Sequence, residues 1–180
     1  MKDDTAHIVS LIKAGKHDGY RLILKLYSQR IHAFMLDVTG SQQDAEELVN
    51  DTFIRVFSSI TRYDPSKASL YTWVMCIAHN IAISNLRKKK RPATVELEQI
   101  ADTEIKDDDI EDPRVMLLRE AIGMLNPEDR SIIHQYYYDH TSVEDIAYII
   151  GHSAGTTAVR LHRIRQKLKK LIETNQCYDR

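Results

Sequence analysis

The chain has 180 residues, a formal net charge of −1, and 43% hydrophobic against 28% charged residues, which allows one domain or two small ones with ordinary cores. Six glycines and four prolines are few for turn-rich sandwiches or barrels, and no apolar run reaches the roughly 18 residues of a membrane span. The N-terminus MKDDTAHIVS carries two acids and no apolar core of a secretory signal, so the expectation is a cytoplasmic protein without membrane insertion.

The near-zero net charge hides segregation. Every residue from Arg87 to Arg91 is Lys or Arg, residues 96–114 hold nine acids against two bases, and residues 156–172 hold six bases and no acid. Distribution, not the sum, is informative here.

The pattern predicts an almost purely helical, all-α chain. An opening helix spans about Asp4–Ala14. A second spans about Asp18–Asp37, with Leu22, Ile23, Leu26, Tyr27, Ile31, Phe34 and Met35 as its apolar positions. A third starts near Ser41. Its set Ala45, Leu48, Val49, Thr52, Phe53, Val56, Phe57 and Ile60 keeps the i, i+3, i+4, i+7 rule over four turns. Asp64-Pro65 stops it. In a fourth, Leu70, Trp73, Val74, Ile77, Ala78, Ile81, Ala82 and Leu86 form one stripe ahead of the five cations. Four such stripes suit a small bundle over residues 1–91. Residues 92–112 are acidic, include Asp107-Asp108-Asp109 and lack periodicity, which predicts a flexible linker.

A second domain is expected over residues 113–180. Val115, Leu118, Ala121, Ile122 and Leu125 suggest one helical face. Asn126-Pro127-Glu128-Asp129 is an N-cap, a proline at the first helical position and two acids at the positive dipole end. That helix carries Ile132, Ile133, Tyr136 and Tyr137. Ser142-x-x-Asp145 or Thr141-x-x-Glu144 opens a short helix with Val143, Ile146, Ala147 and Ile150 inward. Gly151 ends it, and Ser153 caps a last helix to about Ile172. Short helix, tight turn and longer helix make a helix-turn-helix. On the last helix Leu161, Ile164, Leu168 and Leu171 face in, while Arg160, Arg163, Lys167 and Lys170 line another face. Such a face attracts phosphates, and its N-terminal residues can reach base edges.

A helix-turn-helix behind an aromatic-to-basic helix resembles the extracytoplasmic-function sigma factors of the sigma-70 family. The resemblance rests on DAEELVNDTFIRVFSSITRYDP (residues 44–65), YTWVMCIAHNIAISNLRKKKR (71–91) and LNPEDRSIIHQYYYDHTSVEDIAYIIGHSAGTTAVRLHRIRQKL (125–168). It implies a sigma-2-like domain that binds polymerase core and reads and melts the −10 element, the acidic linker, and a sigma-4-like domain that reads the −35 element. Asp44, Glu47 and Asp51, with Arg55 one turn on, would dock the β′ subunit, and β is the other core subunit implied. Asn80 and the loop 64–69, including Lys67, would receive a flipped −10 base, with Tyr71 as an exposed ring. Trp73 sits on the core stripe and is assigned to structure. Arg87, Lys88 and Lys89, with Lys90 and Arg91, would hold phosphates. His79 stands where the family often has arginine, implying a weaker or pH-dependent contact.

At the recognition helix the family usually has Gly-Thr-Val-Lys-Ser-Arg, whereas this chain has Gly155-Thr156-Thr157-Ala158-Val159-Arg160. Thr156, Arg160, His162 and Arg163 remain as −35 readers, with Lys167 on the phosphates. The resemblance implies promoter DNA and an anti-sigma factor as partners, with no cofactor and no catalysis.

Two other readings compete: a stand-alone helix-turn-helix regulator, and an all-helical carboxylate-metal enzyme. The second lacks Glu-x-x-His pairs, and Cys76 and Cys177 are too far apart for a zinc spacing.

Overall fold

The computed structural model describes residues 2–89 and 112–178. The expected acidic linker lies outside them, except Asp112, as do Lys90 and Arg91. Among the described residues the order is α1 (Lys2–Lys13), α2 (His17–Thr39), α3 (Gln42–Ser59), a 3-10 turn (Ile60–Arg62), α4 (Leu70–Lys89), α5 (Pro113–Gly123), α6 (Pro127–Ile133), a π-helical turn (His134–Tyr138), α7 (Val143–Ile150) and α8 (Ala154–Tyr178), with no strand.

Helix ends follow local chemistry. Gly40 takes the left-handed conformation after α2, and Ser41 accepts from the Asp44 N–H to start α3. Asp112 and Asn126 cap α5 and α6, each ahead of a proline. At α7 the structure selects Ser142: its hydroxyl accepts from the Asp145 N–H and donates to the Asp145 carboxylate at 2.7 Å. Gly151, at φ 72°, closes α7. These devices fix where α7 ends and α8 begins, and so the aim of α8.

The first core gathers Ile23, Ile31, Phe34, Leu48, Phe53, Val56, Leu70, Val74, Ala78 and Ala82 from α2, α3 and α4. The second gathers Ala121, Leu125, Ile132, Ile133, Ile146, Leu161, Ile164 and Leu168. Each fully buried Val, Leu, Ile or Phe side chain contributes about 1.5–3 kcal/mol.

Some expected core positions are instead at the surface. Leu22 and Leu26 of α2 are exposed, as are Val115 and Leu118 of α5 and Tyr137. Only the part of each stripe that meets a neighbouring helix is covered. On α4 the error runs the other way. Thr72, Met75, His79 and Ile83 are buried beside the expected stripe. The cause is a second partner: α7 and α6 pack on the flank of α4 that α3 leaves open, and α6 and the π-helical turn also meet α2. Ile149 of α7 accordingly joins the first core rather than the second.

Candidate polymerase and nucleic-acid interfaces

The outer face of α3 presents Glu47, Asp51 and Arg55 to solvent. Asp44 is different. Both its carboxylate oxygens accept from the Lys89 ammonium at 2.7 Å, joining the start of α3 to the end of α4. Beside this face a groove of about 550 Å³ between α3 and α4 is lined by Asp51, Arg55, Asn80, Ser84 and Lys88. Two groups of residues expected to serve different partners thus share one surface.

Before α4, the Asp64 carboxylate accepts from the Ser66 N–H and hydroxyl, which holds its pKa below the usual carboxylate range. The loop so formed leaves Lys67 exposed, and Ser69 caps α4 by accepting from the Thr72 N–H. Asn80 is exposed, its amide reaching only Cys76 Sγ at 3.6 Å. Trp73 is half-buried and packs on Tyr63, in keeping with a structural role.

Tyr71, expected as an exposed ring, is half-buried. The Arg30 guanidinium lies over its ring at 3.9 Å, and its hydroxyl is enclosed. Burial, then the nearby Asp139 carboxylate, pushes the phenol far above its ordinary pKa. The ring is covered because α2 and the end of the π-helical turn meet over it.

His79 is buried, and its Nδ1 meets the Ser131 hydroxyl of α6 at 2.8 Å. Burial, opposed by Glu128 and reinforced by Arg160 and Arg87, lowers its pKa to about 4. The imidazole is therefore neutral at physiological pH and faces the second domain, not solvent.

Arg87 donates to Glu128 at 2.7 Å, and the other Glu128 oxygen takes Arg160 at 3.2 Å. Hydrogen bonding from Arg87, then from Arg160, lowers the Glu128 pKa against the pull of burial. Arg160 also donates its Nε to Asp129 at 2.9 Å. It is only half-exposed, bracing α8 against the first turn of α6. Of the expected recognition residues, Thr156, His162, Arg163 and Lys167 remain open to solvent. Val159, 52% exposed, stands among them. Arg165, on another flank of α8, donates to the Tyr137 hydroxyl and lies over the Tyr136 ring.

Other polar contacts between the halves use residues whose roles sequence reasoning missed. Thr72 donates to Asp145 at 3.0 Å, and Arg30 donates to both the carboxylate and the carbonyl of Asp139. His134 sits between Asp37 and Asp139. A signal existed for α4: Thr72, Met75, His79 and Ile83 follow a +3, +4, +4 spacing beside the main stripe.

The C-terminal half also carries an apolar groove of about 610 Å³ lined by Leu118, Ile122, Ile133, Tyr137, Leu168 and Ile172, with Arg165 and Lys169 also on it. Among the described residues no group of His, Cys, Asp and Glu is placed to hold a metal ion, and no helix is long and apolar enough to cross a membrane.

Known proteins share this organisation. The family described as Sigma-70 region 2 matches residues 23–92, and Sigma-70, region 4 matches residues 116–168. The chain is 29% identical over 176 residues to the ECF RNA polymerase sigma factor SigW of Bacillus subtilis, covering 90% of this chain and 93% of that one. It is 28% identical over 160 residues to the RNA polymerase sigma factor CarQ of Myxococcus xanthus, covering 88% and 91%. Among solved structures, the sigma factor RpoE of Bartonella quintana, in complex with the anti-sigma factor NepR, aligns with a TM-score of 0.68 at 26% identity, covering 86% of this chain and 96% of that one. CnrH, in complex with the cytosolic domain of CnrY, shares the fold at a TM-score of 0.71 and 17% identity, covering 94% and 97%. With both regions matched in order on a two-domain helical fold, the chain belongs to the extracytoplasmic-function sigma factors of the sigma-70 family, which direct RNA polymerase and carry no catalysis of their own.

Proposed function

We propose that residues 1–91 bind polymerase core and engage the −10 element, that residues 113–180 read the −35 element, and that the acidic segment 92–112 tethers them in the cytoplasm. The observation that carries this reading is the α3–α4 groove, where Asp51 and Arg55 lie beside Asn80 and Lys88. A surface of that kind can dock a polymerase subunit on one lip and hold unstacked DNA on the other. Glu47, Asp51 and Arg55 pair with β′, electrostatics setting register and on-rate more than affinity. Asn80 offers an amide to a base edge, while Lys67, Arg87, Lys88 and Lys89 take phosphates. Tyr71 joins them only when the half that covers it moves away. Thr156, His162 and Arg163 face the −35 bases and Lys167 its backbone, while Arg160 stays on Glu128 and Asp129 and steadies the helix.

The two elements lie about 25 base pairs apart, about 85 Å at about 3.4 Å per step. Helices α4 and α7 touch, so promoter binding requires the halves to part. The apolar groove on α5 and α8 suits a helix from the β subunit or an anti-sigma factor, since relatives of this fold are held by anti-sigma proteins. Run-off transcription with purified core is the test: promoter-dependent transcripts and co-purification with core are expected, and loss of both refutes the reading. A regulator that needs no polymerase would instead shift specific duplexes alone, with little salt dependence beyond its phosphate contacts.

A further inference from the structure

The recognition helix carries an apolar side chain where a polar reader is expected. At about 100° per residue, the buried residues Thr157, Leu161, Ile164 and Leu168 centre on one side of α8. Val159 lies nearly opposite that centre. It occupies the concave surface shared with Thr156, Arg163, Lys167 and His152. The flanking Gly155 has open space around it, with nothing within 4 Å of where a Cβ would sit, so a groove edge can come close. Arg160, one position on, is turned away by Glu128 and Asp129.

We propose that Val159 reads a thymine through its 5-methyl group and is a specificity-determining residue for the upstream promoter element. Valine has no donor or acceptor. Pressed onto the amine of cytosine or adenine, or the acceptors of guanine, it strips water from a polar group without replacing the hydrogen bond. The thymine methyl is the one apolar group on the major-groove edges of the four bases. A branched side chain with two methyls, stiff at χ1, makes a preformed seat for it. Arg163, one turn further along the same face, can pair with an adjacent guanine or a phosphate and fixes the register in which Val159 meets its base. The inference rests on α8 being the −35 reader.

The test uses the full chain with polymerase core. Duplexes are selected from a library randomised across the upstream element. Each thymine of the enriched sequence is then replaced singly by deoxyuridine, which removes only the methyl. With the wild-type chain, replacement at one thymine is expected to lower affinity about fourfold, the value of one buried methyl. With Val159→Ala the same replacement should change affinity by less than about 1.5-fold. Val159→Ala is exposed and replaces a weaker helix former with a stronger one, so the fold survives. If no deoxyuridine weakens wild-type binding, or if the sensitive thymine stays sensitive in Val159→Ala, the assignment is wrong. If selection enriches no upstream sequence, the −35 reading itself falls, and this proposal with it.

Discussion

The two helices assigned to DNA meet it from opposite starting points. Helix α4 is covered on both flanks, by its own bundle and by α6 and α7, and only Asn80, Ser84 and its last cations stay open. Helix α8 is buried on one face and bare on the other. On the proposed function, the helix that would hold separated strands is thus partly shielded in the free chain, while the helix that would read intact duplex is not. The shielding is polar at its edges and apolar at its centre, where Ile149 enters the first core. Such an interface closes well but does not exclude opening, because its hydrogen bonds can be exchanged for water at small net cost.

The strongest way to break this asymmetry is Ile149→Glu. A carboxylate at that centre should cost roughly 3 kcal/mol or more of closure. Small-angle scattering should show a larger radius of gyration, with helical circular dichroism retained. Binding of single-stranded −10 DNA should rise, while duplex binding through α8 stays level. An unchanged radius would mean that the halves are not held through this contact.

Acid should act next. Closed, His79 has its pKa lowered to about 4; once the halves part it returns toward the ordinary histidine value of about 6.5. Between those values the open form holds more protons, so closure weakens as pH falls. The loss from pH 7 to pH 5 is about 2 kcal/mol for this group. Glu128, Arg160 and Arg87 face it within the interface, and Glu128 contributes in the same direction as acid removes its charge. His134, Asp37 and Asp139 also lie in the contact, so the His79 share is read as the difference between wild type and His79→Gln. Equal pH profiles for an interdomain fluorescence distance would refute it.

A smaller effect should ignore the covering altogether. Asp51 lies on the open lip of α3, so Asp51→Arg should weaken core binding about tenfold, equally in the wild-type and Ile149→Glu backgrounds. Unequal losses measured by titration against core would tie α3 to closure. Smallest is Lys167→Ala. On the bare face of α8 it should lower duplex affinity about threefold for all sequences alike and reduce the salt slope by about one.

Much of this was legible from residue spacing. The helix start near Ser41, the cap at Asn126, the α7 start at one of two capping boxes, the stop at Gly151 and the core faces of α3 and α8 follow from local rules that act within a few residues. The basic face of α8 was visible, but the attachment of Arg160 to Glu128 and Asp129 was not, since it depends on how α6 is placed 31 residues away. The burial of Tyr71 and His79 was hidden for a similar reason. Their partners, Arg30 and Ser131, lie in other helices, and periodicity marks a buried face without saying which element buries it. The π-helical turn, in which His134 and Gln135 are buried, had no marker either.

The Glu128 carboxylate, held by one arginine from each half, has a consequence for timing. If Arg87 leaves for a phosphate, as proposed, Arg160 is the one guanidinium left to the Glu128 and Asp129 carboxylates, and both then draw on it alone. The strut between α6 and α8 then stiffens at the moment the recognition helix must hold its aim. One half's engagement becomes mechanical steadiness in the other, carried by a single side chain.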